Sequence, residues 1–127
     1  MVEEGAHYEK PRPGGEYIVE GKSGKIDVHH WHIGDDIRIS LYNKEGNSVY
    51  FVTNNTGAKE WAKALSMEED GDIAKISNDR AVADVTRIGN RYLVEAYDIF
   101  TPGHKTRVSF DEEQARHIKA VLGVEIG

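Results

Sequence analysis

Three histidines stand close together in the chain, and their spacing is the first feature that could carry chemistry. His30 and His32 are two residues apart, which places both rings on one side of a strand, and aspartates follow at Asp35 and Asp36. Two histidines and a carboxylate are a ligand set for zinc, nickel or iron, which would suit a small metal-dependent enzyme. In the alternative, His30 partly fills the core while His29 and His32 are solvated or stack on a ligand. We assign no metal ligand and no cofactor from the sequence.

Other catalytic signatures are missing from the sequence. The chain has no cysteine, no Gly-x-Ser-x-Gly elbow and no His-Glu-x-x-His helix. Residues 21–25 read Gly-Lys-Ser-Gly-Lys and resemble the end of a phosphate-binding loop, but they lack its spacing and the helix that must follow it. A turn between two strands explains this segment better. We therefore predict a protein that is not an enzyme.

Composition and charge are typical of one compact soluble domain. The chain has 127 residues, of which 39% are hydrophobic and 30% are charged, and its formal net charge is −6 at pH 7. No run approaches the roughly 20 apolar residues that cross a bilayer, and the N-terminal residues lack the apolar centre of a secretory signal. The absence of cysteine also fits a reducing compartment. We expect a cytoplasmic protein without a membrane partner.

Hydrophobic periodicity divides the chain into two similar series of strands, each followed by a helix. The strands of the first series are predicted at residues 16–20, 25–32, 36–43 and 48–53, and its helix ends at residue 65. Those of the second series are predicted at residues 73–77, 81–87, 91–99 and 105–110, with a helix at 111–122. Asn54 or Thr56 can cap the first helix. Asp111 with Gln114 matches a capping box at the second helix, which Gly123 ends.

The two series align with each other, which indicates an internal repeat. The offset is 55 residues over residues 32–43 and 57 from the fourth strand through the helix, because the second series has a longer turn before its fourth strand. We predict an α+β fold in which a duplicated β-β-β-β-α unit packs as an intramolecular pseudo-dimer, with antiparallel sheets and with the helices on one side. The expected parts of this single compact domain are a flexible tail at residues 1–14, repeats at 15–65 and 73–127, and an acidic connector at 66–72.

The tandem β-β-β-β-α order over residues 16–122 resembles a superfamily of single-stranded nucleic-acid binders. This superfamily includes the Pur-alpha repeat, the Whirly proteins and the positive-cofactor-type transcriptional coactivators. The likeness rests on the order of the elements. It implies that twisted four-stranded sheets present one face to single-stranded DNA or RNA, while the helices pair on the other side.

Strand alternation assigns each side chain to the core or to an outer surface, and the outer surface is aromatic and weakly basic. Aromatic rings can stack on bases, since every base has a π-face, and basic side chains near strand ends can contact phosphates. We predict that single-stranded DNA or RNA binds to this surface. The residues predicted to contact it are Lys25, His29, Trp31, Arg38, Tyr42, Tyr50, Arg87, Arg91, Tyr97, Lys105 and Arg107.

A different class of function could use the same surface. Outward aromatic side chains can also pack against another protein or against a second copy of the chain in a homo-oligomer. This alternative suits the net charge of −6 better, and Asp27, Asp84 and Glu95 on the predicted outer surface would weaken phosphate contacts. Salt dependence separates the two functions, because nucleic-acid binding weakens steeply as salt is added.

Overall fold

The computed structural model describes residues 10–124, and the elements in this part of the chain follow the predicted order. The predicted tail lies outside the described residues as far as residue 9. The first unit comprises β1 (Glu16–Gly21), β2 (Gly24–His30), β3 (Ile37–Asn43), β4 (Ser48–Thr53) and α1 (Asn55–Ala64). The second unit comprises β5 (Ile73–Ser77), β6 (Ala81–Ile88), β7 (Arg91–Asp98), β8 (Thr106–Asp111) and α2 (Glu112–Leu122). The fold is α+β, with two β-β-β-β-α units.

Each unit forms its own antiparallel sheet, with the strands in chain order. We call the sheet of β1–β4 sheet A and the sheet of β5–β8 sheet B. In both sheets the apolar side chains alternate with polar ones, so that one face, the inner face, is buried. The buried inner-face residues are Ile26, Val28, Ile37, Ile39, Leu41, Val49 and Phe51 in sheet A, and Ala81, Ala83, Val85, Tyr92, Val94, Ala96, Val108 and Phe110 in sheet B. These are the residues that alternation predicts for the core, and the prediction is confirmed.

Local signals set the helix ends as predicted. Asn54 caps α1, and its Oδ1 accepts hydrogen bonds from two backbone N–H groups of the first turn. Asp111 and Gln114 form the capping box of α2. Gly123 then ends α2 in the left-handed conformation, with a φ of 74° that glycine adopts without strain.

Several strand ends differ from the prediction by one or two residues, and two of these differences move a predicted contact residue out of its strand. β2 ends at His30 instead of residue 32, because the N–H of Trp31 donates across the following loop to the carbonyl of Asp36. β8 begins at Thr106, so Lys105 belongs to the preceding loop. Trp31 and Lys105 therefore lie at the margins of the sheets, where strand alternation does not determine the direction of a side chain.

The two helices pack on the inner faces, and each helix contacts both sheets. α1 packs on β4 of its own sheet and on β5 of the other, while α2 packs on β8 of its own sheet and on β1 of the other. Trp61 of α1 is 1% exposed and meets the ring of Phe51 edge to face, with 5.3 Å between the ring centroids. The two units therefore share a single hydrophobic core.

Two turns join the sheets, and we call these contacts the first and second junctions. At the first junction the β1–β2 turn lies against β8, where Lys22 and Ser109 exchange two backbone hydrogen bonds, at 2.7 and 3.1 Å. At the second junction the β5–β6 turn lies against β4, where the side-chain amide of Asn78 donates to the carbonyl of Val52 at 3.3 Å. Each sheet thus places one hairpin turn on the last strand of the other sheet.

Close approach at the first junction depends on glycine at the two ends of its turn. A Cβ atom on Gly21 would lie 2.6 Å from the carbonyl oxygen of Ser109. A Cβ atom on Gly24 would clash with the backbone carbonyl of Tyr42 on β3, and it would lie 2.8 Å from a methyl group of Val108 on β8. Glycine is the residue that allows two backbones to come this close, so a side chain at Gly21 would push the turn away from β8, and one at Gly24 would disturb both β3 and β8.

We expect Gly24→Ala to destabilise the protein by about 1–3 kcal/mol, because the added methyl group must displace the backbone of β3 at Tyr42 and the side chain of Val108 on β8. Gly103→Ala is the matched control. No atom lies within 4 Å of its Cβ position, and the free energy of unfolding should change by less than about 0.5 kcal/mol. Urea denaturation followed by circular dichroism measures both variants. Equal unfolding midpoints would contradict the role assigned to Gly24.

Candidate nucleic-acid interface

The outer face of sheet A carries five of the predicted contact residues. Lys25 lies beside Tyr42, and His29 lies beside Arg38, as cross-strand pairs of β2 and β3. Tyr50 on β4 lies diagonally across from Tyr42. Both tyrosine rings are partly exposed. The register of the sheet thus gathers two stacking rings and two cations on one surface.

Sheet B carries the second group of predicted residues on its outer face. Arg91 and Tyr97 lie on β7 and Arg107 lies on β8, with Lys105 in the loop that leads into β8. The Nε of Arg91 donates to a serine hydroxyl of β8 at 2.8 Å. Arg107 forms a salt bridge with Glu95 on the neighbouring strand. Both guanidinium groups thus have partners within sheet B.

Three tyrosine rings on the outer faces each have a cation beside them. A cation within about 6 Å of a ring centroid is attracted by the negative face of the ring. Such a pair combines a group that contacts phosphate with a ring that stacks on a base. The pairs, with the distance from the cation to the ring centroid, are Lys25 with Tyr42 at 5.6 Å, Arg80 with Tyr50 at 4.6 Å and Lys105 with Tyr97 at 5.9 Å.

Arg80 was missed by the sequence analysis, because it lies in the β5–β6 turn and is far from Tyr50 along the chain. The second junction brings this turn to β4, where Arg80 lies over the ring of Tyr50. Its Nε also lies 3.7 Å from a carboxylate oxygen of Asp98. The sequence offers no signal for this contact, because the correspondence of Arg80 with the turn residue Ser23 is seen only in the backbone hydrogen bonds of the two turns.

Arg87 was predicted to contact phosphate, and the structure corrects this prediction. Its side chain lies on the inner side of β6, where it continues the buried alternation of that strand, and the residue is 7% exposed. The guanidinium donates to Glu112 at 2.7 Å, to the hydroxyl of Tyr92 at 2.8 Å and to the carbonyl of Met67 at 3.3 Å. The hydrogen bond with Glu112 raises the pKa of Arg87 above its ordinary value. Arg87 therefore joins the connector, β7 and α2.

Trp31 lies at the end of β2, in an apolar hollow of about 370 Å³. His29, His32, Ile33 and Arg38 line the same hollow. Trp31 is 47% exposed and Ile33 is more exposed still. The hollow thus brings together three of the predicted contact residues. It lies apart from the tyrosine rings, and its surface is more hydrophobic than the surface around them.

The histidines point in different directions. His30 turns toward the core, where its Nε2 lies 2.6 Å from the carbonyl oxygen of Val121 and its ring meets Tyr17 edge to face at 6.0 Å. His29 and His32 line the outer hollow instead. Among residues 10–124, no group of three or more His, Cys, Asp or Glu side chains is placed to hold a metal ion. The arrangement of two histidines and one carboxylate is therefore not formed in this part of the chain.

Asp27 lies in the middle of β2, on the outer face of sheet A. It is only 8% exposed, and its Oδ1 has no hydrogen-bond partner among the described residues. Burial, together with hydrogen bonding to Glu16 and repulsion by it, raises the pKa of Asp27 from 3.8 to about 6, although Arg38 and Lys25 act in the opposite direction. Hydrogen bonding to Asp27 lowers the pKa of Glu16. Two carboxyl groups thus compete for one proton on this face.

No family model matches this chain, and no curated protein matches it. Within residues 10–124, no helix is long and apolar enough to cross a membrane. A functional inference for this protein therefore rests on the geometry and chemistry of its outer sheet faces.

The position of Arg87 predicts that its loss lowers stability more than the loss of an exposed arginine does. Arg87→Gln should lower the thermal unfolding midpoint by several degrees, because the hydroxyl of Tyr92 and the carboxylate of Glu112 lose the donor that they share. Arg12→Gln is the matched control, since its exposed side chain should leave the midpoint unchanged. Differential scanning calorimetry compares the two variants. An unchanged midpoint for Arg87→Gln would contradict the structural role.

The raised pKa of Asp27 predicts that stability depends on pH. The fold prefers the protonated carboxyl, so its stabilising contribution is complete below about pH 4 and is lost as the pH rises through about 6. Asp27→Asn should therefore gain about 1–3 kcal/mol of unfolding free energy over the wild type at about pH 8, and much less at about pH 4.

Urea denaturation at the two pH values measures this difference. Glu20→Gln removes an exposed carboxylate from the adjacent strand β1, and it should change the free energy of unfolding by less than about 0.5 kcal/mol. A gain for Asp27→Asn that is the same at both pH values would show that its carboxyl does not titrate as described.

Proposed function

We propose that this protein is a duplicated β-β-β-β-α module that binds single-stranded DNA or RNA on its outer sheet faces and has no catalytic activity. The observation that carries the proposal is the pairing of a tyrosine ring with a cation at three places on these faces. Each pair offers one base a stacking surface and one phosphate a positive partner. Three such pairs suit a strand of several nucleotides.

The spacing of the rings suits separate bases. Tyr42 and Tyr50 are diagonal neighbours on β3 and β4, so their Cα atoms are about 7–8 Å apart. Each ring can therefore stack on a base of its own, and each stacked base contributes about 1–3 kcal/mol. Lysine and arginine side chains are long, so the paired cations reach a neighbouring phosphate with little movement of the backbone.

The net charge of −6 is compatible with this function, because several carboxylates are neutralised or lie elsewhere. Glu95 is paired with Arg107, and Asp98 is paired with Arg80. Four more carboxylates belong to the connector at residues 66–72, outside the two sheets. With few cations on the outer faces, the affinity rests on stacking as well as on phosphate contacts, and it should decline as salt is added.

The recurrence of backbone contacts supports the duplication. The N–H of Lys44 donates to the carbonyl of Ser23 at 3.1 Å, and the N–H of Ile99 donates to the carbonyl of Arg80 at 2.8 Å. These two bonds occupy corresponding places in the aligned units. A duplicated unit would give one molecule two outer faces, and a strand held by both faces binds more tightly than a strand held by one.

The apolar hollow favours a second candidate function, the docking of another protein. Trp31 and Ile33 expose hydrophobic surface there without a nearby cation–aromatic pair. Exposed apolar surface of this kind is typical of sites where proteins associate. Association through this hollow would depend little on salt, which distinguishes it from nucleic-acid binding.

Fluorescence anisotropy with a labelled, mixed-sequence, single-stranded oligonucleotide tests the proposed function, with DNA and RNA in parallel. The wild type should bind the single strand more tightly than a duplex, and its affinity should fall steeply with salt. Tyr42→Ala, Tyr50→Ala and Tyr97→Ala should each weaken binding by about 1–3 kcal/mol, because each removes a stacking ring.

The matched control is Lys59→Gln combined with Lys63→Gln, which removes two exposed positive charges from α1, away from both outer faces. This variant should bind as the wild type does. No binding by the wild type at low salt, or equal losses for the control and the tyrosine variants, would overturn the proposed function.

A further inference from the structure

A polar cleft of about 450 Å³ opens at the first junction, where the two outer faces meet. The β1–β2 turn, the β3–β4 turn and the start of β8 form its walls. The lining residues are Ser23, Asn43, Lys44, Glu45, Lys105 and Arg107. Two of these, Lys105 and Arg107, were predicted to contact nucleic acid, and Lys44 was missed because it lies in a turn of the other unit.

The cleft is rich in groups that bind an oxyanion. Its charged side chains are Lys44, Lys105 and Arg107, with one carboxylate, that of Glu45, in the lining, and Arg107 is also paired with Glu95 on the neighbouring strand. Asn43 adds a further donor. Its Oδ1 accepts hydrogen bonds from two backbone N–H groups of the β3–β4 turn, at 3.0 and 2.9 Å, which leaves the hydrogens of Nδ2 to donate elsewhere. Phosphate oxygens are the acceptors that such a set of donors binds best.

Backbone strain marks the same place. Ser23 has a φ of 73°, and it is the one non-glycine residue with a positive φ among the described residues. The carbonyl of Ser23 accepts a hydrogen bond from the N–H of Lys44, and the backbone of the adjacent Lys22 is hydrogen-bonded to Ser109 of β8. The turn is therefore held in this conformation from both sides. Strain that is held in this way is typical of binding sites. Here it places a serine hydroxyl in the wall of the cleft.

The second junction shows that these cations are not needed to join the sheets. It has the corresponding backbone hydrogen bond, from Ile99 to Arg80, but Ile99 stands there in place of Lys44 and Asp98 in place of Asn43. The same architecture is therefore built around an isoleucine and a carboxylate. The basic character of the first junction consequently needs a reason other than folding.

The cleft also continues toward the stacking rings. A shallower pocket of about 200 Å³ shares Asn43 and Lys44 with the cleft and reaches Lys25 and Tyr42 on sheet A. On the other side, Lys105 lies 5.9 Å from the ring centroid of Tyr97 on sheet B. A path for a strand thus runs from one outer face to the other through the cleft.

We propose that this cleft binds a phosphate group, and that in the nucleic-acid complex it holds the phosphate at which the strand passes from sheet A to sheet B. The second part rests on the proposed function. The same donors would accept the phosphate of the strand backbone, the phosphate at the end of a strand, or a free phosphate compound, because the three share one oxyanion chemistry. Glu45 opposes binding in each case.

The test removes the cations and the carboxylate of the cleft separately. Lys44→Gln combined with Lys105→Gln should weaken binding of an unphosphorylated single-stranded oligonucleotide about tenfold at low salt, and should reduce the slope of log affinity against log salt by about 2. Glu45→Gln should strengthen binding, because it removes the opposing charge.

An oligonucleotide with a 5′-phosphate, measured in parallel, shows whether an end or the backbone occupies the cleft. The double variant Lys59→Gln with Lys63→Gln is the control of equal charge.

A titration of the wild type with inorganic pyrophosphate, followed by NMR of the backbone amides, separates this proposal from the proposed function. Shifts at Ser23, Asn43 and Lys44 that vanish in the cleft variant support the phosphate site, even if no oligonucleotide binds. Oligonucleotide binding that is lost in the tyrosine variants but unchanged in the cleft variant, with no amide shifts, overturns the phosphate site and leaves the proposed function resting on the pairs at Tyr42 and Tyr50.

Discussion

The close approach of each hairpin turn to the last strand of the other sheet is the constraint on which the rest of the structure depends. At the first junction, Lys22 and Ser109 satisfy each other's backbone groups, which would be costly to leave unpaired next to the core. Glycine at both ends of the turn makes that distance accessible. Once the turns are seated, the inner faces of the two sheets lie close enough for α1 and α2 to contact both sheets, and a single core results.

This arrangement leaves the outer faces uncovered, and that is where the candidate chemistry lies. Both helices pack on the inner faces, so the polar side chains of the outer face of each sheet remain at the surface. The junctions then set those rows side by side: Arg80 reaches a ring of sheet A, and Lys44 of the first unit lines a cleft with Lys105 of the second. A surface shared by two units is formed by the same contacts that form the core.

Two charged residues show how strand parity and local crowding decide the role of a side chain. Arg87 is charged but points inward, and it is tolerated because Glu112, Tyr92 and a carbonyl accept from it. Asp27 points outward but is crowded by its neighbours, and one of its oxygens has no partner among the described residues. Burial and a second carboxyl therefore favour its protonated form. Facing outward does not by itself mean that a side chain is solvated.

The sequence by itself determined the elements, their order, the helix caps and the residues of the core, because these follow from periodicity and hydrogen bonds within a few residues. Strand alternation could also have placed Arg87, since it continues the inward series of Ala81 and Val85. Only the tertiary structure decided which turn meets which strand. The contact of Arg80 with Tyr50 and the cleft lined by both Lys44 and Lys105 bring together residues that are far apart along the chain, and no local pattern encodes the distance between two sheets.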